Sequence, residues 1–185
     1  MGSVLKAIVL AAIPVVVFVS FGMLMTRWTD RQRVLDLLEA KKELPPLNSR
    51  FFGYHVDAVR RQWTTINEQQ MLGIEMRFLE LDLVFPLLYG GALFGSLVAA
   101  WTMLGRPGNA AAFGALVGIT ILADWTENLV QLRQLDQFVA HKPLDARWIS
   151  VASVATILKL SVGGATYVVL LGLSVWMAYR AVTGK

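Results

Sequence analysis

Four ionisable side chains sit where an apolar chain should not carry them: Asp82, Asp124, Glu127 and Lys159. Each interrupts a stretch built mainly of Leu, Val, Ala, Ile, Phe and Gly. A charge removed from water is costly unless it is paired, hydrated or used, so such residues mark a candidate site. Three carboxylates against one ammonium leave a formal excess of acid. A proton, a metal ion or a cationic substrate group would relieve it. Proton exchange, cation binding and acid–base catalysis all draw on a group of this kind.

Spacing ties further residues to these four. Thr120, Asp124, Glu127, Asn128 and Gln131 recur at helical intervals and form one continuous polar face. Ser153, Thr156 and Lys159 step by three residues along another stretch, with small Gly163 beyond them. In span two, Asp82, Phe85, Pro86 and Tyr89 share a face. Tyr89 on that face is read chiefly as packing and is kept as a binding candidate. Pro86 has no N–H, so the Asp82 carbonyl loses its ordinary helical donor and must find another partner. The alternative is structural. Lys159 could pair with Asp124 or Glu127 as glue between helices, supported by Asn128 and Thr156, or it could snorkel to the headgroups. Asp82 could be hydrated at the interface.

The elements that must position these residues follow from hydropathy. Hydrophobic residues make up 56% of the 185, charged residues 16%, and mean hydropathy is +0.55. A soluble domain carries about 25% charged residues, so a disordered or ordinary soluble chain is excluded. The absence of cysteine removes disulfides, thiolate metal sites and a Cys nucleophile. Apolar stretches at about 7–25, 79–103, 110–132 and 149–179 each reach the roughly 20 residues a helix needs to cross hydrocarbon. The expected fold class is all-α: an integral membrane four-helix bundle, in one domain over 1–185, with a helical loop subdomain between spans one and two. The first stretch is read as a retained span rather than a secretory signal, because it is long and no small-x-small cleavage site follows. Lys6 also removes a myristoylation motif at Gly2.

The connections differ. Gly105-Arg106-Pro107-Gly108-Asn109 predicts a tight turn and an antiparallel hairpin of spans two and three. Residues 133–148 form a modest loop. Residues 26–78 read as an amphipathic helical segment broken at Pro45-Pro46, with Val56, Val59 and Trp63 on one face and residues from Asn67 running straight into span two. That segment is either a cap on the bundle or a substrate lid. Depth then follows from topology. At about 1.5 Å per residue, the four charges fall roughly 5–16 Å below the loop-side interface, all in one leaflet. Towards the other end, Gly91-x-x-x-Gly95 and Gly114-x-x-x-Gly118 predict close hairpin packing. The expectation is a bundle tight at one end, with a polar pocket opening towards the other leaflet.

Twelve Lys and Arg lie in the long loops against four at the termini and the Arg106 turn, so the positive-inside rule places the loops in the cytoplasm and the termini outside. Acids oppose this, with ten on the loop side and none on the terminal side. The pI of about 9.6 does not signal nucleic acid. Arg60-Arg61 beside Trp63 is diluted by acids, and attraction to anionic headgroups accounts for the charge. His55 and His141 lack ligand spacing, so no metal site is expected, and the sequence leaves any cofactor unknown.

Asp82-Leu-Val-Phe85-Pro86-Leu-Leu-Tyr89-Gly90, Ala123-Asp124-Trp-Thr-Glu127-Asn128 and Ala152-Ser153-Val-Ala-Thr156-Ile-Leu-Lys159 resemble segments of a group of uncharacterised four-span membrane proteins. Gly53-Tyr54 before a short loop helix is similar too, so the resemblance covers 53–159. It implies a four-span fold and a shared set of residues, and no particular reaction. Three functions follow from the residues. One is a pocket that binds a small amphiphile or lipid-like ligand, with or without altering it, with Lys159 holding an anionic head or acting as acid, Asp124 or Glu127 as base, and Asp82 orienting or binding a cation. Another is proton- or cation-linked transport, which four spans would support only as a homo-oligomer. The last is a non-catalytic subunit or assembly factor that docks a partner membrane protein. Asp82, Tyr89, Asp124, Glu127, Asn128, Thr156 and Lys159 are the principal candidates, with Pro86, Ser153, Thr120 and Gln131 in support.

Overall fold

The structure is a computed structural model that describes residues 2–106, 108 and 110–184. Among the described residues it holds seven α-helices and a short 3-10 turn, with no strand. They are α1 (Gly2–Trp28), α2 (Arg31–Ala40), the 3-10 turn (Leu47–Ser49), α3 (Val56–Glu68), α4 (Leu72–Leu81), α5 (Phe85–Met103), α6 (Ala110–Val139) and α7 (Ala146–Thr183). Four helical segments are long and apolar enough to cross a membrane: Gly2–Trp28, Leu72–Met103, Ala110–Val139 and Ala146–Thr183. Their outward residues, such as Ile8, Val16, Leu122 and Val168, are large, apolar and exposed, as lipid contact requires. The chain is a multi-pass helical membrane protein.

Several expected boundaries move. The second span is not one helix. α4 ends at Leu81, and a turn over 82–84 separates it from α5, where Pro86 stands in the first turn. A proline is well placed there, because its missing N–H is one the helix start would leave unbonded anyway. Residues from Asn67 do not run straight into span two either. α3 stops at Glu68, and Gln70 takes a positive φ of 56° before α4 begins. α6 and α7 extend beyond their apolar stretches, reducing the loop expected at 133–148 to residues 140–145. Asp145 caps α7 by accepting from the Arg147 N–H at 2.8 Å, while its own N–H donates to Gln134 Oε1 at 2.8 Å. Of the expected tight turn, Gly105 has a positive φ of 71° and Gly108 one of 92°. Pro107 and Asn109 lie outside the described residues.

Two apolar cores bracket a polar layer. On the loop side, Val59, Trp63 and Ile66 of α3 pack with Val34 and Leu38 of α2 onto Leu135, Ile149 and Ala152 of α6 and α7. The amphipathic face of α3 therefore packs on the bundle, and fully buried Trp63 forms no basic and aromatic surface with Arg60-Arg61. On the terminal side, Leu97, Ala100, Val117 and Leu170 close the other core.

The glycine pairs do not pack as expected. Gly91 and Gly95 are exposed, and a Cβ on either would meet nothing within 4 Å. Gly90 is the close-approach position, where a Cβ would lie 2.7 and 2.9 Å from Ile121 and 3.3 Å from Val117. The face of α5 turned to α6 is thus one residue away from the Gly91–Gly95 face. Gly90→Ala is therefore expected to be less stable than Gly91→Ala by about 1–2 kcal/mol, the scale of a local overpacking that Ile121 must absorb. Equilibrium unfolding in mixed micelles measures the difference, and equal stabilities would place the contact elsewhere.

Candidate functional site

The polar layer is built on α6. Its helical period turns Thr120, Asp124, Glu127, Asn128 and Gln131 inward together, and all five are buried. α7 runs antiparallel to it and brings Lys159 opposite. Lys159 Nζ lies 2.8 Å from Asp124 Oδ1 and 2.6 Å from Glu127 Oε2. It does not snorkel; its side chain is 10% exposed and bridges two carboxylates one helical turn apart. The remaining carboxylate oxygens are mostly held. Tyr89 donates to Asp124 Oδ2 at 3.0 Å, and Gln131 Nε2 donates to Glu127 Oε1 at 2.9 Å.

The break in the second span is bonded to the same face. Asn128 Nδ2 donates to the Asp82 carbonyl at 3.1 Å and to Asp124 Oδ1 at 3.4 Å. Trp125 Nε1 donates to the Leu83 carbonyl at 2.7 Å. The carbonyl released by Pro86 thus finds an amide donor, and a second one beside it finds an indole. Thr120 donates to the Leu116 carbonyl at 3.1 Å and lies under Gly163, where a Cβ would come within 3.1 Å of it.

The loop subdomain supplies Tyr54, which spacing within the spans does not reveal. Its hydroxyl accepts from Gln131 Nε2 at 3.0 Å and lies 3.5 Å from Thr156 Oγ1, whose own proton goes to the Ala152 carbonyl at 3.0 Å. Its backbone N–H donates to Ser153 Oγ at 2.7 Å. Gly53 makes this approach feasible, having a φ of +74° and no Cβ to collide with Ser153 and Ile157. Burial first, and the negative charge of Glu127 second, push the Tyr54 hydroxyl above the ordinary phenol range, so it remains protonated. The only prior trace of Tyr54 is its place beside Gly53.

A second buried pair was also missed. Arg31 Nη2 of α2 lies 3.2 Å from Glu75 Oε1 of α4, and its guanidinium sits 3.2 Å from the centroid of the Phe78 ring. Glu75 is an interior residue; it is 1% exposed. In the same subdomain, Arg50 donates to Gln62 Oε1 at 2.6 Å and to the Pro45 carbonyl at 2.7 Å. Desolvation lowers the Arg50 pKa, with Glu43 and Tyr54 opposing that shift.

Beside the polar layer lies a cavity of about 870 Å³. Pro14, Phe18 and Gly22 of α1 form one wall, and Leu160, Gly164 and Tyr167 of α7 the other. Tyr89, Asp82, Thr120, Asp124 and Lys159 line its inner side, and Arg31, Asn48 and Ser49 close the loop end. α1 and α7 meet lower down, where the Tyr167 hydroxyl donates to the Ala11 carbonyl at 3.1 Å. Of the sequence candidates, Asp82, Tyr89, Thr120, Asp124 and Lys159 reach the cavity. Glu127, Asn128, Gln131, Thr156 and Ser153 stand behind it, and Pro86 shapes the break. Among the described residues, no group of three His, Cys, Asp or Glu is arranged to hold a metal ion. His55 and His141 are exposed loop residues.

Fold and site together define a multi-pass helical membrane protein with a charged layer buried beside a groove. No protein-family model, curated protein or solved structure matches the chain.

Removing the ammonium should be costly. Lys159→Met leaves Asp124 and Glu127 facing each other unpaired and is expected to lose about 3–5 kcal/mol of stability. Tyr54→Phe removes one neutral acceptor and should cost about 1 kcal/mol. Unfolding in micelles ranks the two, and a Lys159→Met protein as stable as wild type would show that the ion pair does not hold the layer.

Proposed function

We propose that the groove between α1 and α7 binds a small amphiphile or lipid-like molecule, admitted sideways from one leaflet. The observation that carries this reading is the cavity's division of character. Phe18, Leu93, Leu160 and Tyr167 offer an apolar length for a chain, while Asp82, Asp124, Lys159 and Asn48 gather at the loop end for a head. Such a site suits a ligand that already lies in the bilayer. The tight apolar core below, around Leu97 and Leu170, supports binding from one side over passage of an ion across the bundle.

Binding is favoured over chemistry on this site because the expected acid and bases hold one another. Lys159 is clamped by both Asp124 and Glu127, which are themselves hydrogen-bonded. The loop side, rich in Lys and Arg, is assigned to the cytoplasm, which places the head-binding end in the cytoplasmic leaflet.

Two measurements test this. Gly22 and Gly164 line the groove, and a Cβ at either meets nothing within 4 Å, so Gly22→Leu and Gly164→Leu should fold and fill the space. Gentle purification followed by mass spectrometry should recover a specific amphiphile from wild type and most of it should be missing from both variants. Equal recovery from all three proteins would sink the reading. The chain has no cysteine, so single cysteines report topology cleanly. In intact cells an impermeant thiol reagent should label Ser3→Cys and spare Lys142→Cys, and the reverse pattern would invert the orientation.

A further inference from the structure

The charges at the polar end of the groove are not equally committed. Lys159 lies between Asp124 and Glu127, and Arg31 between Glu75 and the Phe78 ring. Both cations line the cavity, and each already holds a carboxylate. Tyr89 points its proton at Asp124. Asp82 differs. Its side chain lines the cavity and the residue is only 4% exposed, yet its carboxylate has no hydrogen bond or ion pair among the described residues. Only its backbone is held, by Asn128.

The surroundings of this carboxylate are aromatic. Phe18, Phe78, Phe85 and Tyr89 line the cavity with it. Phe18 and Phe85 have ring centroids 5.0 Å apart, Phe85 and Tyr89 5.1 Å, and Phe18 and Tyr89 5.8 Å. Ring faces carry negative potential and attract cations, most strongly where water is excluded. A buried carboxylate with no hydrogen bond or ion pair amid such rings is matched by an ammonium group, and together with Asp124 and Glu127 it makes three carboxylates to the single ammonium of Lys159. The acids are not gathered for a metal ion among the described residues, whereas an organic ammonium needs one carboxylate and apolar or aromatic walls.

We infer that the groove selects amphiphiles whose head carries an ammonium group, with the nitrogen set against the Asp82 carboxylate and the Phe18, Phe85 and Tyr89 rings. This rests on the amphiphile reading above and names the head that it takes. It also reverses the role that sequence spacing suggests for Lys159, which here neutralises acids instead of holding an anionic head. The nitrogen could belong to a phospholipid or to a single-chain amine, since both present the same group.

The test uses the full chain in a neutral detergent, titrated by native mass spectrometry with dioleoyl phosphatidylethanolamine, dioleoyl phosphatidylglycerol and hexadecylamine. At least one of the two amine-bearing probes should bind wild type about tenfold or more tightly than phosphatidylglycerol, the scale of one charge-assisted contact. Binding of hexadecylamine alone would identify a single-chain amine as the source, and binding of the phospholipid would identify a headgroup. Asp82→Asn should fold, because it breaks no bond of the carboxylate, and should erase the preference. Phosphatidylglycerol bound as tightly as the amines by wild type overturns the inference with no variant needed, and so does a preference that survives Asp82→Asn. Gly164→Leu separates the two levels. If it weakens all three probes while wild type shows no head preference, the groove stands and the ammonium selectivity falls. If it weakens none, the groove reading falls as well.

Discussion

The structure depends on one ammonium held between two carboxylates. Lys159 joins α7 to α6 by contacts of 2.8 and 2.6 Å to acids that would otherwise repel one another in a medium without water. Ion pairs of this depth add little net stability compared with an apolar core, but breaking one is costly because the surviving charge has no solvent. The arrangement of the rest follows. With Lys159 between them, Asp124 can accept from Tyr89 and Asn128, and Glu127 can accept from Gln131. Those three donors in turn hold α5, the break in the second span and the loop subdomain.

The break is the second consequence of burying polar backbone. A helix interrupted inside an apolar environment must find partners for its released carbonyls. α6 provides them from Trp125 and Asn128, three residues apart on one face and directed at Leu83 and Asp82. The same Asn128 amide touches Asp124, so the broken backbone and the charged layer share a residue. Within α5 it is Gly90 rather than Gly91 that faces Ile121 and Val117 of α6, which follows from how the two helices are rotated against each other. Asp82 is left with its backbone secured and its carboxylate lining the groove.

The loop subdomain couples to the site through Tyr54 and Arg31. Tyr54 reaches Gln131 and Thr156 from outside the spans, and Arg31 seals the loop end with Glu75. α1 is the least embedded of the spanning helices. It contributes a wall more than a core, which suits an opening between α1 and α7.

What the sequence determined by itself was the layer. Length and hydropathy set four spans, because only helices satisfy their own backbone in lipid. Helical period put Thr120, Asp124, Glu127, Asn128 and Gln131 on one face, and a common depth aligned Lys159 with them. Pro86 announced that the Asp82 carbonyl would need a donor. What only the tertiary structure decided was the pairing. Which acids take Lys159 depends on the rotation of α7 against α6, and that rotation is set by packing at both cores, which no local pattern encodes. The break at 82–84, the approach of Tyr54 and the Arg31–Glu75 pair each join segments distant in the chain, where spacing carries no information. The lone carboxylate of Asp82 is the remainder after those pairings are made, so it could be recognised only once the other charges lining the cavity, Arg31, Asp124 and Lys159, had their partners.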